Sequence, residues 1–242
     1  MALWATLAHV LRYTAAQSMD RPCRVMQFEQ GSNMNIAMVG AGIGGLAAAA
    51  CLLRQGHRVR VYEQAGAVSE IGAAVQMSAN AVKVLYELGL QDTLNQHAVR
   101  PESFQFLRYD SGELLHLIVL GEEHEKRHGH PYFQIHRVDL HQGLMQAVRS
   151  LDPDALVLGK RARSVQENER EARVEFEDGS AVTADLLIGA DGIKSVVRRH
   201  VVDDSPPVFT GQVAWRLAIP IERIDPALRP PMASTIWCGP KN

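Results

Sequence analysis

Ile36–Val39 is a short apolar run that feeds directly into Gly40-Ala41-Gly42-Ile43-Gly44-Gly45, and an Ala-rich helical pattern, Leu46–Arg54, follows and stops before Gly56. A strand, a GxGxxG turn and a helix in that order dictate a βαβ opening and a parallel sheet. Each glycine has its own reason. Gly40 permits the tight turn, Gly42 lets backbone approach a pyrophosphate, and Gly45 lets the helix pack close to the strand. The helix N-terminus then offers unpaired N–H groups and the positive end of its dipole to phosphate oxygens. A second strand, Val59–Tyr62, closes on Glu63, about 20 residues past the first glycine. Its carboxylate can accept from ribose hydroxyls and repels a 2′-phosphate. The pattern therefore predicts an adenine dinucleotide with a free 2′-hydroxyl, either FAD or NAD.

The rest of the chain continues in the α/β manner. Ser78 is expected to cap a helix through Leu88. A hairpin is expected over Phe104–Tyr109 and Glu113–Val119, and a polar loop over Gly121–Pro131. Strand Tyr132–Ile135 leads into helix Val138–Ser150. Short strands are expected at Ala155–Leu158, Ala162–Gln166, Val174–Phe176, Ala181–Thr183 and Asp185–Ile188, and later at Val213–Ile219 and Ser234–Trp237. Residues 1–33 precede the first strand and read as a dispensable extension. Residues 34–203 read as a dinucleotide-binding domain with a β insert at about 100–130, and 204–242 as the start of an incomplete, mainly β substrate domain.

Composition excludes several classes. A net charge of −2 gives no electrostatic case for nucleic acid or an anionic membrane surface. No stretch approaches the roughly 20 apolar residues of a membrane span. Cys23, Cys51 and Cys238 are isolated, which fits a reducing compartment and a cytoplasmic protein. His124-Glu125-Lys126-Arg127-His128 matches the zinc pattern HExxH, but it has no apolar face and has glycines at both ends. It reads as a solvated loop, with no metal expected.

A second motif favours FAD over NAD. Asp185-Leu186-Leu187-Ile188-Gly189-Ala190-Asp191-Gly192 is a buried strand ending in an Asp-Gly turn, which puts Asp191 at the carboxyl end of a strand, where open α/β sheets bind ligands. Here the chain resembles the class A flavoprotein monooxygenases, the family of salicylate and 6-hydroxynicotinate hydroxylases. The stretches Glu70–Ala81, Ile135-His136-Arg137-Val138-Asp139-Leu140 and Gly211-Gln212-Val213-Ala214-Trp215-Arg216 are similar to that family's flavin-side segment, its HRxDL segment and its GxVAWR strand, in the same order.

The resemblance implies an FAD-binding Rossmann-type domain, FAD as cofactor, NADH or NADPH as co-substrate, and a small aromatic substrate such as a phenolic or hydroxypyridine acid. It places the pyrophosphate at Gly40, Gly42, Gly44 and Gly45 and the ribose at Glu63. Arg137 and Asp191 bracket the rest of the cofactor, and Ala162 meets the adenine through its backbone. Gln64, Gln76 and Gly192 complete the expected set. Gln76 and Trp215 stand where some members carry a histidine, so no catalytic base carries over. The family's later flavin motif begins Gly-Asp, and this chain has no such pair. It reads as a C-terminally truncated member, expected to bind FAD without hydroxylating. Two other readings stay open: a related FAD enzyme acting on a non-aromatic substrate, and a non-catalytic dinucleotide-binding chain.

Overall fold

The structure is a computed structural model and describes residues 33–67 and 74–240. The expected N-terminal extension lies outside the described residues except for Asn33, as does the Glu70–Ala73 part of the flavin-side segment.

The opening unit forms as its pattern dictates. β1 (Asn35–Val39) passes through the glycine turn into α1 (Ile43–Arg54), and β2 (Arg58–Glu63) returns parallel to β1 with Ile36 opposite Val59 and Val39 opposite Tyr62. Next come β3 (Ala74–Met77), α2 (Ala79–Glu87), α3 (Gln91–His97) and β4 (Ala98–Val99). The expected hairpin is β5 (Ser103–Arg108) with β6 (Leu114–Val119), followed by α4 (Gly121–His128). β7 (Phe133–His136) runs into the long helix α5 (Arg137–Leu151) and on to β8 (Leu156–Leu158). A meander of β9 (Ala162–Glu167), β10 (Ala172–Phe176) and β11 (Ala181–Ala184) precedes β12 (Leu186–Gly189), α6 (Val196–Val201) and finally β13 (Ala233–Cys238).

The central sheet is wholly parallel in the order β12-β1-β2-β8. It is covered on both faces, which is why β1 is apolar without alternation. Ile36 and Met38 join a core with Leu46, Ala49 and Ala50 of α1 and Leu140, Leu144 and Val148 of α5. Ala37 and Val39 face the other way, onto Tyr62, Val174, Phe176, Ala184 and Val197. The antiparallel meander β11-β10-β9 supplies that second layer, and the Tyr62 and Phe176 rings meet with centroids 5.0 Å apart. Two further three-stranded sheets, β3-β7-β4 and β13-β5-β6, stand beside this body. They meet where the Gln134 and Gln76 side-chain amides both donate to Ser234 Oγ, at 3.0 and 3.4 Å.

Two expectations need correction, and one helix was not foreseen. Gly121–His128 is a helix, where a loop was expected. Its stability signal is charge, since Glu122 and Glu123 sit in the first turn, Lys126, Arg127 and His128 in the last, and Gly129 takes the left-handed C-terminal position at φ +78°. Apolar periodicity cannot find such a helix. Val213–Ile219 is not a strand, because it has no ladder partner among the described residues, and Trp215 is 95% exposed. The helix α3 is unforeseen, since QDTLNQH sends only Leu94 into the core.

Two ion pairs tie the layers together and set an acid response. Arg60 on β2 reaches Asp152 after α5 at 2.5 Å, and Lys160 reaches Asp178 at 2.6 Å and Ser180 Oγ at 2.8 Å. The Arg60 hydrogen bond holds the Asp152 carboxyl below its ordinary range, and Lys160, followed by Ser180, does the same to Asp178 more strongly. Both folded values lie below the unfolded ones, so their stabilisation is complete above the ordinary carboxylate range, about pH 4, and is lost as pH falls through the depressed values. Thermal midpoints measured from about pH 5 downward should fall, and Asp152→Asn and Asp178→Asn should each flatten the slope.

Candidate cofactor site at the glycine turn

The two motifs read separately in the sequence are one object in space. β1 and β12 are neighbours, and Ala190 N–H donates to the Val39 carbonyl at 2.7 Å. Gly40, at φ +104°, lies so close to the second motif that a Cβ there would sit 2.3 Å from the Ala190 carbonyl oxygen. At Gly45 a Cβ would sit 2.1 Å from the Gly40 oxygen and 3.2 Å from Ala190 Cβ. Gly40 and Gly45 are therefore needed by the protein itself. Around Gly42 and Gly44 nothing lies within 4 Å of where a Cβ would be, and the same is true of Gly192. These three glycines open onto free space.

Gly42 is the N-cap of α1, with no side chain capping it and no acid in the first turn. A twelve-residue helix thus presents its positive end, without a carboxylate of its own, at a place where backbone can be approached closely. Glu63 ends β2 beside this turn. Its Oε2 accepts from Ala41 N–H at 2.8 Å and its Oε1 from Ala65 N–H at 2.9 Å. Each carboxylate oxygen keeps a lone pair for a hydroxyl donor. Gln64 follows directly and is exposed.

The remaining expected residues lie around this turn or farther off. Lys160 N–H donates to the Glu63 carbonyl at 2.8 Å, which sets the start of β9 near Glu63. Ala162, half-buried, pairs across to Phe176. Arg137 is exposed at the first position of α5. Gln76 sits on β3, tied to Ser234 rather than to the glycine turn.

Asp191 is committed locally. Its carboxylate accepts from the Ser195 hydroxyl, from Val196 N–H at 2.7 Å and from Val197 N–H at 3.4 Å, and so supports the start of α6, whose N-cap is Ser195 accepting from Arg198 N–H at 2.9 Å. Asp191→Ala should cost about 1 kcal/mol of stability or more through the lost acceptor for Val196 and Val197 N–H, read as a shift in the urea midpoint.

One residue at the turn escaped the sequence reading. His141 on α5, 3% exposed, contacts the Ala41 carbonyl through Nε2 at 2.7 Å. Its signal was register, since it falls on the stripe of Leu144 and Val148, where a polar side chain needs a partner. Elsewhere, the His124 and His128 rings on α4 meet at a tilt with centroids 4.4 Å apart, and no group of three or more metal-ligating side chains exists among the described residues.

A parallel sheet with an uncapped helix end, two open glycines and a strand-end glutamate defines an adenine-dinucleotide-binding α/β protein. The match to known proteins narrows the class. The FAD binding domain family model matches residues 33–218, and the chain belongs to that family. It is 38% identical over 208 residues to 3-amino-4-hydroxybenzoate 2-monooxygenase of Streptomyces cremeus, covering 86% of this chain and 52% of that protein. It is 34% identical over 203 residues to 6-hydroxynicotinate 3-monooxygenase of Pseudomonas fluorescens, covering 84% and 52%. Among solved structures it resembles Klebsiella pneumoniae HpxO complexed with FAD and uric acid, with a TM-score of 0.60, 33% identity, and coverage of 72% of this chain and 43% of that one. The chain spans about half the length of the curated relatives it matches.

Proposed function

We propose that this chain holds FAD for a monooxygenase that hydroxylates a small aromatic acid, using NADH or NADPH and O₂. The observation that carries the cofactor assignment is the open space before Gly42 and Gly44 at an uncapped helix end, with Glu63 beside it. The aromatic substrate rests on the relatives, whose names specify hydroxybenzoates and a hydroxynicotinate. No helix among the described residues is long and apolar enough to cross a membrane, and a cytoplasmic location goes with the same reading.

Bound FAD would supply hydride acceptance and oxygen activation; the protein supplies binding, orientation and electrostatics. The N–H groups at the start of α1 donate to the pyrophosphate, and their dipole offsets its charge. Glu63 accepts from the ribose hydroxyls while its bonds to Ala41 and Ala65 hold its rotamer. Gln64 borders the ribose, and the β9 backbone at Ala162 borders the adenine. Gly192, open and at φ +81°, lets the second turn approach the cofactor, and Asp191 shapes that turn by accepting from Ser195 Oγ and Val196 N–H. Arg137 and Gln76 mark the flavin side.

The test loads the protein carrying this chain with FAD and supplies NADH or NADPH, air labelled with ¹⁸O₂, and a panel of hydroxybenzoates and hydroxypyridine carboxylates. Ring-hydroxylated product carrying label is the expected result. Oxygenated or reduced products from a non-aromatic panel, with none from the aromatic one, would assign the other chemistry.

A further inference from the structure

We infer that His141 is a positioning residue for the cofactor: by holding the Ala41 carbonyl, it aims the Gly42 N–H at the pyrophosphate. This rests on the reading of the glycine turn as the FAD site.

Ala41 is the middle residue of Gly40-Ala41-Gly42, and each of its two peptide groups is held by a side chain. Its N–H donates to Glu63 Oε2 at 2.8 Å, and its carbonyl accepts from His141 Nε2 at 2.7 Å. A trans peptide is planar, with its C=O and N–H pointing in opposite directions. The carbonyl of the Ala41–Gly42 peptide is directed at a histidine buried in the helical layer. The N–H of the same peptide, which belongs to Gly42, must then point away from that layer. Gly42 is the N-cap of α1 with no side chain capping it, and a Cβ there would also meet nothing within 4 Å. The preceding peptide is fixed likewise, because the Gly40 carbonyl lies against Gly45. A carbonyl accepts, so His141 must carry a proton on Nε2, which both the corresponding neutral tautomer and the imidazolium provide.

Without that donor the Ala41–Gly42 peptide loses the bond that fixes its carbonyl, and the phosphate donor must be ordered as the cofactor binds. An ordinary core histidine would contribute to stability and leave cofactor affinity unchanged. The two roles separate by substitution. His141→Gln keeps an N–H donor at about the reach of Nε2, whereas His141→Met fills the space and donates nothing.

The experiment titrates FAD into the purified apo-chain by fluorescence quenching for wild type, His141→Gln, His141→Met and Gly42→Val, with the thermal midpoint of each apo-protein recorded alongside. Expected is a Kd for His141→Met weakened about tenfold or more, because the phosphate donor is no longer pre-ordered, with His141→Gln close to wild type. The ³¹P resonances of bound FAD should shift in His141→Met and not in His141→Gln. Equal FAD affinity in His141→Met and wild type, or equal weakening in Met and Gln, would overturn the role. If His141→Met fails to fold, His141→Asn, whose amide is too short to reach, replaces it in the comparison with Gln. Weak binding by Asn beside normal binding by Gln supports the role, and equal binding overturns it. Retention of FAD by Gly42→Val would instead bring down the reading of the turn itself.

Discussion

Gly42→Val should fold and lose its flavin. Gly42 has φ −68° and ψ 175°, a conformation open to any residue, and nothing within 4 Å obstructs a side chain. The apo-protein should therefore lose about 1 kcal/mol at most, the usual difference between glycine and a β-branched residue at an N-cap. The added methyl groups nevertheless occupy the space through which phosphate oxygens reach the helix end. FAD content after desalting, read by absorbance, should fall to background while the circular dichroism spectrum and melting transition survive. Full flavin retention would remove the pyrophosphate from this turn.

Gly45→Val should do the reverse, damaging the fold first. A Cβ at position 45 lies 2.1 Å from the Gly40 carbonyl oxygen, a backbone atom with no rotamer to give way. α1 would have to lift off β1, opening the core beneath Leu46, Ala49 and Ala50. Overpacking of well-packed cores usually costs about 1–3 kcal/mol, and a clash with backbone belongs at or above the upper end. The expected result is insoluble or molten protein, or a urea midpoint far below wild type, whether or not FAD is present. A Gly45→Val protein with normal stability would mean that α1 and β1 are not so closely packed. Within one six-residue motif, then, Gly40 and Gly45 are required by the fold, Gly42 and Gly44 are left open for the proposed ligand, and the Gly42 and Gly45 variants separate the two roles.

Much of this was legible because it is local. The βαβ unit, the glycine turn and Glu63 follow from apolar runs and positive-φ glycine within a single stretch of chain. What was not legible depends on distant partners. That Gly40 and Ala190 touch, and so fuse the two motifs, follows from β12 pairing with β1 across about 150 residues of sequence. Asp191 reads as a ligand candidate in sequence, and that its carboxylate also accepts from the start of α6 is something only the turn geometry reveals. His141 sits one position beyond the HRxDL segment, and its importance appears only when α5 is laid against the turn. α4 was missed for the opposite reason. Its signal is entirely local, but it lies in charge order at the helix ends rather than in a buried stripe, and not one of its residues is buried.

The central claim is that the turn and Glu63 hold the adenosine-diphosphate half of FAD. Equilibrium binding of FAD and of FMN to the apo-chain tests it most directly, since FMN carries the same ring system and lacks the adenylate. The account predicts saturable FAD binding that ADP competes away, together with FMN binding at least about a hundredfold weaker, the loss of roughly 3 kcal/mol of contacts. Equal affinity for FMN and FAD, or FAD binding untouched by excess ADP, would contradict it.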